Sequence, residues 1–220
     1  MNAPRPLRLA VLLSGTGRTF QNFLAEHAAG RLPVEFAVVI SSTSKARGLQ
    51  FAQEAGIPTS VLPRRRFDDS DEYGRALAER LREAGTELVA MAGFLHLWTL
   101  PEDFQGRVLN IHPSLLPAFG GAGFFGSRVH QAVFEAGVRV TGCTVHFADN
   151  EYDTGPIVLQ RGVELGPGDD PDAIAAKVFE QECIAYPEAI RLFGAGRLRT
   201  EGRRVEIMPP DAEGTSPRSS

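Results

Sequence analysis

Residues 7–24, LRLAVLLSGTGRTFQNFL, decide how the chain folds. The apolar run from Leu7 to Leu13 is nearly unbroken and does not alternate, so it reads as a strand buried on both faces. It ends in the small residues Ser14-Gly15-Thr16-Gly17, after which Phe20, Phe23 and Leu24 recur at helical spacing. The unit is therefore strand, glycine turn, helix. Outward from it the pattern repeats: VEFAVVIS (34–41) reads as a strand, 44–55 as a helix, IPTSVL (57–62) as a strand, 69–84 as an amphipathic helix and ELVAMAG (87–93) as a strand. Parallel strands need crossover helices, so this alternation predicts a single α/β domain with a mostly parallel twisted sheet and helices on both faces.

The texture changes beyond residue 107. RVLNIHP (107–113) is a short strand, and LLPAFGGAGFFGS (115–127) carries too much glycine for regular structure and reads as a loop. Residues 127–136 return to helix, VRVTGCTVHFA (138–148) and GPIVLQRGVEL (155–165) read as strands, and 171–193 forms a long helix. RLRTEGRRVEIM (197–208) reads as a C-terminal hairpin turning near Gly202, and 209–220 has the composition of a flexible tail.

Composition narrows the function classes. The 220 residues suit one α/β core, and 43% hydrophobic with 23% charged residues is ordinary for a globular chain. A net charge of −4 argues against a general nucleic-acid binder. The apolar run near the amino terminus is too short for a secretory signal and no later stretch is long enough to span a bilayer, which predicts a cytoplasmic chain with no membrane partner. Cys143 and Cys183 are far apart in sequence, and no His-x-x-x-His or Cys/His cluster occurs, so neither a disulfide framework nor a metal site is expected.

At the carboxyl end of a first parallel strand, free helix N–H groups converge and small residues let an anion approach. Ser14-Gly15-Thr16-Gly17-Arg18-Thr19 is such a turn, with Thr19 as a candidate helix cap and Arg18 as an added charge. A tight turn with no ligand has the same appearance. The third glycine of a dinucleotide fingerprint is replaced by Phe20, the second strand ends without an acid, and no Gly-Lys-Ser/Thr follows. NAD and ATP are thereby disfavoured, and a phosphomonoester fits better.

Asn110 and His112 stand two apart on a short strand and project from one face, where an amide and an imidazole can polarise a carbonyl and hold an oxyanion. A structural role for this pair is equally open at this stage. His27, His130 and His146 read as structural, and Ser114 lacks the Gly-x-Ser-x-Gly elbow of a nucleophile. Asp153 lies in a turn-forming segment, and spacing alone does not bring it to His112.

SGTGR after the first strand, AGFLHLW (92–98), NIHPSLLP (110–117), GCTVHF (142–147) and DNEYDTGPIVLQ (149–160) together resemble the folate-dependent formyltransferases, and within them the glycinamide ribonucleotide formyltransferases. The resemblance runs from about residue 8 to residue 200. It implies the Rossmann-like fold of that family over 1–208, with a nucleotide half over about 1–100 and a folate and catalytic half over about 101–208. It implies Asn110, His112 and Asp153 as the catalytic trio, and substrate binding by Gly15, Gly17, Arg18, Thr19 and Glu182, the last at the ribose. It implies a folate pocket from Leu95, His96, Leu97, Trp98 and Asn110, together with Phe147, Ala148, Asp149, Asn150, Glu151 and Tyr152. The implied co-substrate is 10-formyltetrahydrofolate, with no metal. The implied partners are small molecules, with no nucleic acid, and no signal fixes an oligomeric state.

The chain departs from the family pattern at Thr16 and Thr19, where members often carry Asn, and at His96, where they often carry Arg. Its loop resembles a longer bacterial variant that usually has Lys at the place of Ala122 and His at that of Arg128, so Arg128 or Arg18 is expected to supply the missing charge. Two related activities share the trio: formyltetrahydrofolate deformylase, with an added amino-terminal regulatory domain, and a transferase acting on initiator methionyl-tRNA, with an added carboxyl-terminal module. A first strand near residue 7 and the 27 residues after the long helix are expected to leave no room for either addition. A catalytically idle folate- or nucleotide-binding module is disfavoured by the intact trio.

Overall fold

The computed structural model describes residues 5–210, so most of the expected tail, 211–220, lies outside the described residues. Strand β1 (Leu7–Leu13) lies in the parallel half of a nine-stranded sheet. It pairs in parallel with β2 (Val34–Ser41) on one side and β4 (Leu88–Met91) on the other. Beyond these, β3 (Thr59–Val61) pairs with β2, and β5 (Val108–His112) with β4, again in parallel. Side chains alternate across β1, so Leu9, Val11 and Leu13 enter one core while Ala10 and Leu12 enter the other, all fully buried. The unbroken apolar run thus reflects helices on both faces.

From β5 onward the sheet is largely antiparallel. Strand β6 (Val140–Phe147) runs against both β5 and β7 (Ile157–Glu164). The hairpin of β8 (Leu198–Glu201) and β9 (Arg204–Ile207) joins the far edge through one parallel bridge, Ile157 to Arg204. Among the described residues five of the eight strand pairs are parallel, so the sheet is mostly parallel as expected, and its parallel run carries the glycine turn. The expected strand at 57–62 contracts to Thr59–Val61, because Gly56, at φ +68°, closes the preceding helix and Ile57 N–H bonds back to Ala52 O at 2.8 Å.

Helices α1 (Arg18–Ala28), α2 (Arg47–Glu54), α4 (Ser127–Glu135) and α5 (Pro171–Gly194) contribute to one core, and α3 (Ser70–Glu83) covers the other. Asp69 caps α3 by accepting from Glu72 N–H, and Asp170 caps α5 by accepting from Ala173 N–H, with Pro171 at the first helical position. Pro187 lies inside α5 and has no N–H, so the Cys183 carbonyl four residues earlier loses its helical donor. Asn22 of α1 supplies one instead, at 2.9 Å, and pins α1 to α5 beside the glycine turn. The Tyr186 hydroxyl, fully buried, donates toward Leu109 O (2.8 Å) and Met91 O (3.1 Å), tying α5 to β4 and β5.

Candidate active site

The strands β1, β4 and β5 end at the same edge of the sheet. Their neighbours diverge there, because the chain leaves β1 for β2 on one side and enters β4 and β5 on the other, which opens a crevice. A cavity of about 540 Å³ occupies it.

One wall is the glycine turn. Gly17 is the residue before α1 and takes φ +76°, and a Cβ there would meet the Gly48 backbone at 2.6 Å. The first helical bond is Gln21 N–H to Gly17 O, at 2.9 Å, so the N–H groups of Arg18, Thr19 and Phe20 have no helical acceptor and are free for an anion. Thr19 does not cap the helix as expected. The cap position falls two residues earlier, at Gly17, so the helix begins at Arg18 and its start has no side-chain cap. Ser14 Oγ accepts from Ser42 Oγ–H and from Leu95 N–H, which fixes the turn against the segment after β4. Arg18 lines the cavity with its guanidinium 4.3 Å from the Phe179 ring centroid, and Glu182 lies on the same wall. Burial pushes the Glu182 carboxyl up to about 7, opposed only in part by the charges of Arg18 and His112. Arg128 is not in the cavity wall: it is exposed and stacks on Phe125, at 4.8 Å.

The opposite wall holds the trio. Asn110 and His112 project from the end of β5, and Asp153 comes from the turn between β6 and β7. His112, 4% exposed, places Nδ1 3.3 Å from Asp153 Oδ2 and Nε2 2.9 Å from the Phe119 carbonyl. Both neighbours are acceptors. Asp153 holds φ +59°, a strained conformation that aspartate tolerates better than most residues, and accepts the Gly121 N–H at 3.0 Å. Burial alone would raise its carboxyl. Hydrogen bonding to His112 and His146, the His112 charge and the Gly121 N–H outweigh burial and hold it well below the usual carboxylate range.

His146, read from sequence as structural, belongs to this cluster. The antiparallel register sets it directly opposite Asn110, and its Nε2 lies 3.1 Å from Asn110 Nδ2 and 3.7 Å from Asp153 Oδ1. Its Nδ1 faces the Phe147 carbonyl at 2.9 Å and therefore carries a proton. The alternation of Val145, His146 and Phe147 was the available signal, but it identifies a partner only once strand pairing is known. His130, also read as structural, lines the cavity from α4. Ser114 is fully buried and donates to Ala118 O at 2.6 Å, a turn contact.

The remaining expected ligand contacts divide. Leu95, His96, Leu97 and Trp98 line the cavity, as do Ala148, Asp149, Glu151 and Tyr152. Trp98 is 2% exposed and packs edge-on against Phe104, so only a small part of it faces the cavity. Burial, then the charge of Arg64, lowers the His96 imidazole below its usual range. Phe147 and Asn150 face an adjoining depression that shares Leu100, Ala148, Asp149 and Glu151 with the cavity, and Asn150 Oδ1 accepts the Leu100 N–H at 2.8 Å. Asp149 accepts from Thr154 Oγ1–H and Glu151 N–H and shapes the turn that carries Asp153. Among the described residues no group of three or more His, Cys, Asp or Glu is placed to hold a metal ion, and no helix is long and apolar enough to cross a membrane.

Residues 7–190 match the family model described as formyl transferase. The phosphoribosylglycinamide formyltransferase of Haemophilus influenzae is 38% identical over 194 residues, covering 87% of this chain and 89% of that protein. The trifunctional purine biosynthetic protein adenosine-3 of Gallus gallus is 37% identical over 195 residues, and there the chain spans only 19% of the relative's length. Among solved structures, glycinamide ribonucleotide transformylase 1 from Symbiobacterium toebii superposes with a TM-score of 0.87 at 41% identity, covering 94% of this chain and 96% of that one.

Proposed function

The chain belongs to the formyl transferase family, and on that premise we propose that it moves a formyl group from 10-formyltetrahydrofolate to the primary amine of 5'-phosphoribosylglycinamide, a step of purine synthesis in the cytoplasm. The observation that carries this reading is one cavity with an anion cradle on one wall and an oxyanion-stabilising cluster on the other. The phosphate rests on the N–H groups after Gly17, beside Arg18, and Glu182 accepts from the ribose hydroxyls. The folate lies between the 95–98 segment and the 148–152 turn, where Leu95, Leu97 and Tyr152 offer apolar surface to its rings.

The amine nitrogen adds to the formyl carbon, the oxyanion collapses, and the bond to the folate nitrogen breaks as that nitrogen takes the proton the amine gives up. Asn110 directs an amide N–H at the developing oxyanion, and protonated His112 adds a second donor. Its Nε2–H is held by the Phe119 carbonyl, so the formyl oxygen takes over that bond as the loop yields. Asp153 remains ionised and stabilises the imidazolium, while His146 Nε2 accepts from Asn110 Nδ2–H and orients the amide. Holding the two reactants together supplies the entropic part of the acceleration. No step draws on a metal.

A hydrolytic reading, with water in place of the amine, uses the same trio. The phosphate cradle with Glu182 beside it favours an acceptor carried on a phosphorylated sugar. Following tetrahydrofolate release with and without glycinamide ribonucleotide separates the two. Release that depends on the nucleotide is expected, and equal release in its absence would transfer the assignment to a deformylase.

A further inference from the structure

His130 sits in the first half of α4, 8% exposed, on the cavity wall. Among the described residues only two buried side-chain polar atoms lack a hydrogen-bond partner, Thr86 Oγ1 and His130 Nδ1. A buried polar atom without a partner is costly and uncommon, and in a cavity wall it points to a group brought by a ligand. The other buried imidazoles are accounted for: His112 and His146 each engage a carbonyl and the Asp153 carboxylate. The charges that act on His130 are cationic, first Arg18 across the glycine turn and then His112 at the end of β5. Burial first, and then these two charges, hold its imidazole below the usual range. A hydrogen-bonding ring set among cations and beside the free N–H groups of a helix start is the surrounding an anion completes.

We propose that His130 is a further phosphate-binding residue, whose imidazole hydrogen-bonds the phosphate of the phosphoribosyl substrate and closes the cradle made by Gly15–Thr19. The proposal rests on the reading that this turn holds the phosphate. It also places a ligand on α4, a helix from which sequence offered only Arg128, and that side chain turns outward.

Inorganic phosphate titrated into the intact protein tests it directly, with the ring nitrogen resonances of His130 followed beside the backbone amides of Gly17 and Arg18. Movement of ring and amides along one binding curve is expected. Amides that move while the ring does not would leave the phosphate in its cradle and overturn the role of His130. Neither moving would overturn the phosphate reading and this proposal with it, and a ring that answers to free ribose but not to phosphate would reassign it to the sugar. In steady state, His130→Leu should raise the KM for the nucleotide about tenfold, the scale of one hydrogen bond to a charged group, with far smaller changes in kcat and in the folate KM. His130→Asn, which keeps a donor and an acceptor, should recover much of that loss. Both KM values rising together in both variants would mark a structural role instead.

Discussion

At the scale of single residues, the expected trio is linked into one chain of contacts through His146. His112 faces Asp153, Asp153 faces His146, and His146 faces Asn110. Asn110→Ala and His112→Ala are each expected to lower kcat by about 10²–10³, the scale of losing one oxyanion donor, with smaller effects on binding. The double variant of His112 and Asp153 should be little worse than the worse single one, since either loss already breaks the pair. Fully additive losses in steady-state kinetics would refute that coupling. Glu182 makes a prediction of its own, because its folded carboxyl is pushed from 4.5 up to about 7 by burial. Between those values the folded state keeps a proton that the unfolded state has released, so stability falls as pH rises through that window. Glu182→Gln removes the effect. In thermal melts of the ligand-free protein, the variant should gain over the parent as pH rises from 4.5 to 7, reaching a few degrees, with a constant gap above. A gap independent of pH would contradict the assignment.

At the scale of elements, the decisive contact is between two helix starts. Gly17 and Gly48 let α1 and α2 approach until a Cβ on Gly17 would lie 2.6 Å from the other backbone. Gly17→Ala adds that clash to a left-handed φ of 76°, itself worth about 1–2 kcal/mol, and must move the turn. The KM for the nucleotide is expected to rise by about tenfold or more while the folate KM changes little. Equal effects on both would remove the phosphate from this turn. The same elements explain which readings succeeded. The strand, glycine turn and helix at 7–24 were legible because burial on both faces writes an unbroken apolar run. The uncapped start at Gly17 was not legible, since Thr19 has the chemistry of a cap and only backbone geometry puts it inside the helix.

At the scale of the whole molecule, the sheet changes character at β5, and the site sits at that change. The parallel half brings the ends of β1, β4 and β5 to one edge, while β6, running against β5, ends beside Leu109 near the start of that strand, and its turn then folds back toward His112. Asp153 reaches His112 only because the turn between β6 and β7 folds back toward the end of β5, and His146 reaches Asn110 only through the β5–β6 register. Tyr186 then locks α5, and with it Glu182, to the strands that end in the site. By itself the sequence determined the α/β class, the order of elements, the anion-friendly turn and the Asn110–His112 pair, because each is written in local periodicity or spacing. Three things were decided by the tertiary structure alone: the partnership of His112 with Asp153 and His146, the turning of Arg128 away from the cavity in favour of Arg18, and the entry of His130 into its wall. These contacts join residues distant along the chain, and pairing register and helix packing, which no local pattern encodes, set their geometry.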